Sequence, residues 1–159
     1  MTMSTATPST TLTQELALIT SVLDLMTQEQ QLLVSADTAG LDALTPRKAQ
    51  VVVEMTALAR QRHACLAAAG FAADDAGMQA WVDGGGAADA LSGWQALLDK
   101  TRDAKELNRI NGMLITRQLS HTQGLINAMR TPAGGGDAAV YGKSGQAAPG
   151  GPSKRYVVG

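Results

Sequence analysis

Three groups of residues in this chain are of types that do chemistry. The first is GDAAVYGKS, Gly136 to Ser144, which looks like the phosphate-cradling loop G-x-x-x-x-G-K-[ST]. Its spacing is wrong, because five residues separate Gly136 from Gly142 and the position that must be glycine is Asp137. No strand precedes it, and the AAPGGP that follows cannot open a helix whose N-terminus would bind phosphate. A nucleotide site is therefore not expected. The second group is His63 and Cys65, two residues apart and so on different faces of a helix. His121 lies in another predicted helix, and no second cysteine or nearby acidic pair completes a metal set. A Cys–His nucleophile would need the fold to bring His121 to Cys65. Cys65 falls on an apolar seam, where a thiol usually serves as a small buried hydrophobe. No catalytic residue, metal or cofactor is expected. The third group is the tail. Lys143, Lys154 and Arg155 make it mildly basic, and this reads as solvated linker charge. Tyr141 differs, as a lone aromatic in a Gly-, Ala- and Ser-rich stretch with no core of its own. It either packs weakly on the domain or is a docking residue in a short linear motif.

The elements that must position these residues are helical. The chain has 159 residues, 3% of them aromatic, and β-branched residues gather only in small clusters such as Val51-Val52-Val53. This favours helices packed through aliphatic stripes over a sheet. The formal net charge of −1 gives no global pull toward nucleic acid or an anionic membrane. The leading MTMSTATPSTT has no Lys, Arg or apolar run, so no signal peptide is expected. No segment approaches the roughly 18 apolar residues of a membrane span. One cysteine excludes an internal disulfide. A soluble cytoplasmic protein is the expectation.

Residues 1–11 are small and polar and are expected to be disordered. Thr11 with Gln14 can form a capping box for a first helix over about 12–38. Leu12, Leu16, Ile19, Leu23, Met26 and Leu33 form its seam, which skips Gln30. Leu18, Val22, Leu25 and Leu32 widen the apolar face for more than one neighbour. Thr45-Pro46 reads as the start of a second helix over about 46–69. Val51, Met55, Leu58, Cys65 and Ala69 line its seam, with Arg62 interrupting. Gly70-Phe71 reads as its left-handed end, which makes an antiparallel hairpin. Between about 70 and 90 glycines break any long element, although Met78, Trp81 and Val82 can make one helical turn that tucks onto the hairpin.

From Leu91 to Met129 a 3,4 alternation runs unbroken through positions 91, 94, 98, 101, 105, 108, 112, 115, 119, 122, 126 and 129. Leu97, Ala104, Leu107, Ile110, Leu114 and Leu125 add apolar surface beside it. This predicts a third helix over about 90–130, ended by Thr131-Pro132, with a flexible Gly/Pro-rich tail from 131 to 159. Asn111-Gly112 is a strong hairpin signal, but strand-like alternation flanks it on neither side and the stripe keeps register across it. The helix is expected to run through. Gly112 then costs about 1 kcal/mol relative to alanine, a cost explained if another backbone comes close there. The fold class is all-α: one helical domain over 12–130, coiled-coil-like in its packing, with disordered tails at both ends.

WQALLDKTRDAKELNRINGMLITRQLSHTQGLINAM followed by VYGKSGQ resembles the FlgN family of flagellar export chaperones. The resemblance rests on Trp94, Leu107-Asn108, Asn111-Gly112, Leu114-Ile115, and Tyr141-Gly142 with Gly145-Gln146. It implies a non-catalytic cytoplasmic chaperone for hook-associated (hook–filament junction) proteins such as FlgK and FlgL. Such a chaperone would cover the client's C-terminal helix and deliver it to the type III export gate, through the cytoplasmic domain of the gate protein FlhA. The expected client-binding residues are Leu107, Ile110, Asn111, Gly112, Leu114, Ile115, Leu119, Ile126 and Met129. Tyr141 and Gly142 are expected to dock on the gate. Neither nucleic acid nor direct membrane insertion is expected, and a weak homodimer stays open. The rival reading is a homo-oligomeric coiled-coil adaptor that uses the same stripe without a client.

Overall fold

A computed structural model describes residues 5–130. It is all-α, as expected: α1 spans Leu12–Val34, α2 Thr38–Ala68, α3 Asp75–Asp83 and α4 Ala90–Arg130. The chain divides into two units, residues 1–115 and 116–159. Tyr141, Gly142 and the rest of the expected tail lie outside the described residues.

In the first unit, two polar pairs fix how the helices run. Glu15 pairs with Arg62 and Glu29 with Lys48. The residue numbers in each pair have the same sum, which is the mark of an antiparallel α1–α2 hairpin. Asn111 bonds to Met26 and Glu29, and Gly93 lies beside Leu12. The numerical offset is nearly constant, so this part of α4 runs parallel to α1. Because α2 runs antiparallel to α1, it ends beside the start of α1, where α4 also begins, so residues 69–89 join two helices at one end of the hairpin. Met78 and Val82 of α3 enter the core with Leu12, Ile19, Val22, Met26, Leu66, Trp94, Leu97 and Ala104. Fully burying one such side chain is worth roughly 1.5–3 kcal/mol, so a connector that contributes two of them is held firmly.

Both hairpin ends follow from backbone chemistry. After α2, Gly70 takes φ +87°, the Phe71 N–H donates to Leu66 O and the Gly70 N–H to Ala67 O. This double bond pattern at a left-handed residue closes the helix as the Gly-Phe pair predicted. The same pattern ends α1 without glycine. Ala36 sits at φ +55°, and the Asp37 N–H reaches Leu32 O. Asp37 then caps α2, accepting from the Gly40 N–H at 2.9 Å.

Two boundaries differ from expectation. α1 stops at Val34, not near 38. α2 begins at Thr38, so Thr45-Pro46 lies inside it. The Asp37 cap outcompetes the Thr-Pro signal because Leu44 of the added turns is buried, and packing outweighs the one backbone bond that proline removes. The Thr45 hydroxyl donates to Leu41 O. Thr11 makes no capping bond. Its hydroxyl instead donates to Glu15 at 2.7 Å. Residues 7–10, expected to be disordered, form a turn closed by the Thr10 N–H on Thr7 O.

Two glycines test the backbone in opposite directions. At Gly77 an added Cβ would overlap the Ala72 carbonyl, while the Gly77 N–H is held by Asp74 at 2.7 Å. Gly77→Ala should therefore destabilise the fold by about 1–3 kcal/mol, read as a lower urea midpoint. At Gly112 an added Cβ meets nothing within 4 Å, so among the described residues no neighbouring backbone comes close to it. Gly112→Ala should stabilise the protein by about 1 kcal/mol. An unchanged or lowered midpoint would show that Gly112 serves a purpose other than packing.

Candidate interaction surface

α4 presents two different surfaces to be read separately. In the first unit its inward positions are Ala90, Trp94, Leu97, Ala104 and Asn111, with Thr101, Leu107 and Leu114 half-buried. The inward face therefore joins Trp94, Leu98 and Thr101 of the expected stripe to its companions Leu97, Ala104, Leu107 and Leu114. The expected primary stripe turns outward at Leu91, Lys105, Asn108, Gly112 and Ile115. Both phases have 3,4 spacing. The choice between them is made by the polar partners below α4.

Those partners form two buried sites. At the first, the Arg62 Nε donates to Glu15 Oε1 at 3.0 Å and Nη2 to Oε2 at 3.3 Å. The guanidinium lies 4.9 Å from the centroid of the Trp94 ring, near enough for a cation–π contact. The Trp94 Nε1–H donates to Gln79 of α3 at 3.0 Å, so one indole ties α2, α3 and α4 together. At the second, the Asn111 Nδ2 donates to Met26 O at 2.9 Å and to Glu29 Oε1 at 2.8 Å. Lys48 Nζ reaches both oxygens of the same carboxylate at 3.1 Å. This explains why a helix runs through Asn-Gly: the asparagine is 1% exposed and sets the register of α4 against α1.

Of the expected client residues, Asn111 is thus engaged inside the first unit, and Leu107 packs against its core. Ile110 and Leu114 are half-buried and, with Gln30, Gln31 and Val34, line an open cleft of about 420 Å³. Gly112 and Ile115 are exposed. In the second unit Leu119 is 66% exposed, Ile126 37% and Met129 82%. Leu125 is exposed beside them. At about 100° per residue, Leu119, Ile126 and Met129 fall within roughly 80° of the helix circumference. They make one aliphatic strip of a kind that single scattered apolar residues do not.

His63 and Cys65 are half-buried, Cys65 and His121 belong to different units, and His121 is exposed. No group of three or more His, Cys, Asp or Glu is placed to hold a metal among the described residues. No described helix is long and apolar enough to cross a membrane. Sequence reasoning missed Glu15, Glu29 and Lys48. Glu15 and Glu29 occupy α1 positions at the same 4,3 spacing as Ile19, Val22, Met26 and Leu33, a signal hidden when only apolar residues are counted.

No curated protein and no solved structure matches this chain. The family model described as FlgN protein matches residues 1–149. Since that match covers nearly all 159 residues, the chain belongs to the FlgN family.

Proposed function

We propose that this protein is a cytoplasmic flagellar export chaperone that binds the terminal helix of hook-associated proteins, the FlgK and FlgL class, and brings them to the type III export gate. FlgN is a chaperone family, and the observation that carries the reading to a surface is the strip Leu119, Ile126 and Met129 on the second unit. A client's terminal helix is amphipathic and would self-associate before export. An aliphatic strip on a helix covers such a face with neither cofactor nor ATP. The client must later be released, so a narrow strip that binds reversibly suits the task better than a deep pocket.

The test is titration of the purified protein with the C-terminal helical segment of a hook-associated protein, alongside light scattering over a range of concentrations. A monomer that forms a one-to-one complex supports the chaperone. A mass that doubles with concentration and a client that does not bind would establish the coiled-coil adaptor instead.

Gate docking is assigned to Tyr141 and Gly142, which lie outside the described residues, on the cytoplasmic domain of FlhA. An aromatic ring buries about 150–250 Å² with few rotamers to fix, and a tether lets one chaperone hold a client while engaging the gate. Tyr141→Ala should leave client affinity within about twofold yet cut FlhA binding and motility. Equal loss of both would place the tail in the client site.

A further inference from the structure

The net charge of −1 hides a segregation. Residues 1–106 hold seven Lys and Arg against thirteen Asp and Glu, whereas residues 107–159 hold six against one. The acidic part is thus at −6 and the remainder at +5. Within the first unit Lys48, Arg62, Arg102 and Arg109 each have an acidic partner. The Arg109 guanidinium, for example, donates to Glu106 at 2.7 Å and holds that carboxyl below its ordinary range. Over residues 116–130 there is no Asp or Glu at all. Arg117, His121 and Arg130 are exposed there, and no acidic group among the described residues pairs with them.

From this we infer that residues 116–130 select an acidic partner: an amphipathic helix whose apolar face is bordered by Asp and Glu. The inference rests on the client reading and narrows it. Position decides which cation matters. On a helical wheel Arg130 falls about 20° from Leu119, so it borders the aliphatic strip, while Arg117 lies about 160° away on the opposite side. Arg130 can therefore pair directly with a carboxylate of a helix seated on the strip. Arg117 contributes only to the field that draws an acidic segment in, an effect confined to roughly a Debye length.

The probes are three synthetic helical peptides with one Leu/Ile face and flanks of Glu, Gln or Lys, measured by fluorescence anisotropy against the full-length protein. The Glu peptide should bind at least about tenfold tighter than the Gln peptide at about 50 mM salt, and the gap should shrink to about twofold at 500 mM. Arg130→Glu should cut Glu-peptide affinity about tenfold, and Arg117→Glu about twofold to threefold. Three peptides that bind equally would overturn the charge preference and leave the client reading standing. Three that fail to bind would overturn both. Tighter binding to phosphatidylserine vesicles or to duplex DNA than to the Glu peptide would overturn the preference for a protein helix. Dimerisation that is lost with Arg130→Glu would do the same, in favour of a second copy's acidic half.

Discussion

Arg62→Met should destabilise the protein by about 3–5 kcal/mol, because it leaves Glu15 buried without its counter-charge. Both side chains of the pair are almost wholly enclosed, at 6% and 4% exposure, so water cannot take the place of the lost guanidinium. Thr11 would remain as a donor to Glu15, but one hydroxyl does not neutralise a carboxylate. The change also removes the cation from the Trp94 face, and the Asp75 carboxylate at 3.7 Å loses its ion-pair partner. Asp75 is largely exposed and water can solvate it, so most of the loss comes from Glu15. The double change Glu15→Leu with Arg62→Met separates pair from packing. It replaces both charges with aliphatic volume and should recover most of the loss, read as urea midpoints at a constant slope. If the single change costs under about 1 kcal/mol, the pair is solvated in solution and the seam is held by its apolar members alone.

What could be read from the sequence, and what could not, divides by kind of signal. Helices that carry aliphatic spacing were legible, as was the Gly70-Phe71 end, because periodicity and a left-handed glycine are local facts. The α1–α2 turn was not, because its left-handed residue is Ala36 and no residue type announces it. Pro46 misled in the same way: its preference for a first turn is real, but Leu44 makes the preceding turns worth burying. The phase of α4 was ambiguous because two sets of residues have 3,4 spacing. Asn111 decides between them, and its role depends on Glu29 and Met26, more than eighty residues earlier in the chain. Charged seam residues were hardest to see. Arg62 looked like an interruption of one stripe and Glu15 drew no notice beside another, yet each is the reason for the other. For the candidate surface, the exposed strip on residues 119–129 was legible as apolar spacing. The charge segregation was equally present in the sequence, but a whole-chain average conceals it.

Leu119→Asp should weaken client binding by roughly 30-fold to 1,000-fold and leave thermal stability nearly unchanged. Leu119 is 66% exposed in the free protein, so its removal forfeits little folded-state burial. The cost to folding should stay near the few tenths of a kcal/mol typical of surface substitutions. A bound client helix would cover it, and burying a leucine is worth roughly 1.5–3 kcal/mol. An aspartate at that place also brings a charge into an apolar contact, where it must be desolvated without a partner. Together these terms amount to about 2–4 kcal/mol, or roughly 30-fold to 1,000-fold in affinity. Leu119→Ala, which deletes the side chain without adding charge, should show the smaller part of this loss. Val53→Asp is the matched control, since Val53 is 67% exposed but belongs to α2 of the first unit and is no member of the proposed strip, and it should leave client affinity unchanged. A melting temperature that drops by several degrees in Leu119→Asp would mean that the folded protein already buries this leucine against a neighbour. Unchanged client affinity with an unchanged melting temperature would remove the strip from the client site. The open cleft of Ile110, Leu114 and Val34 would then be the next surface to substitute.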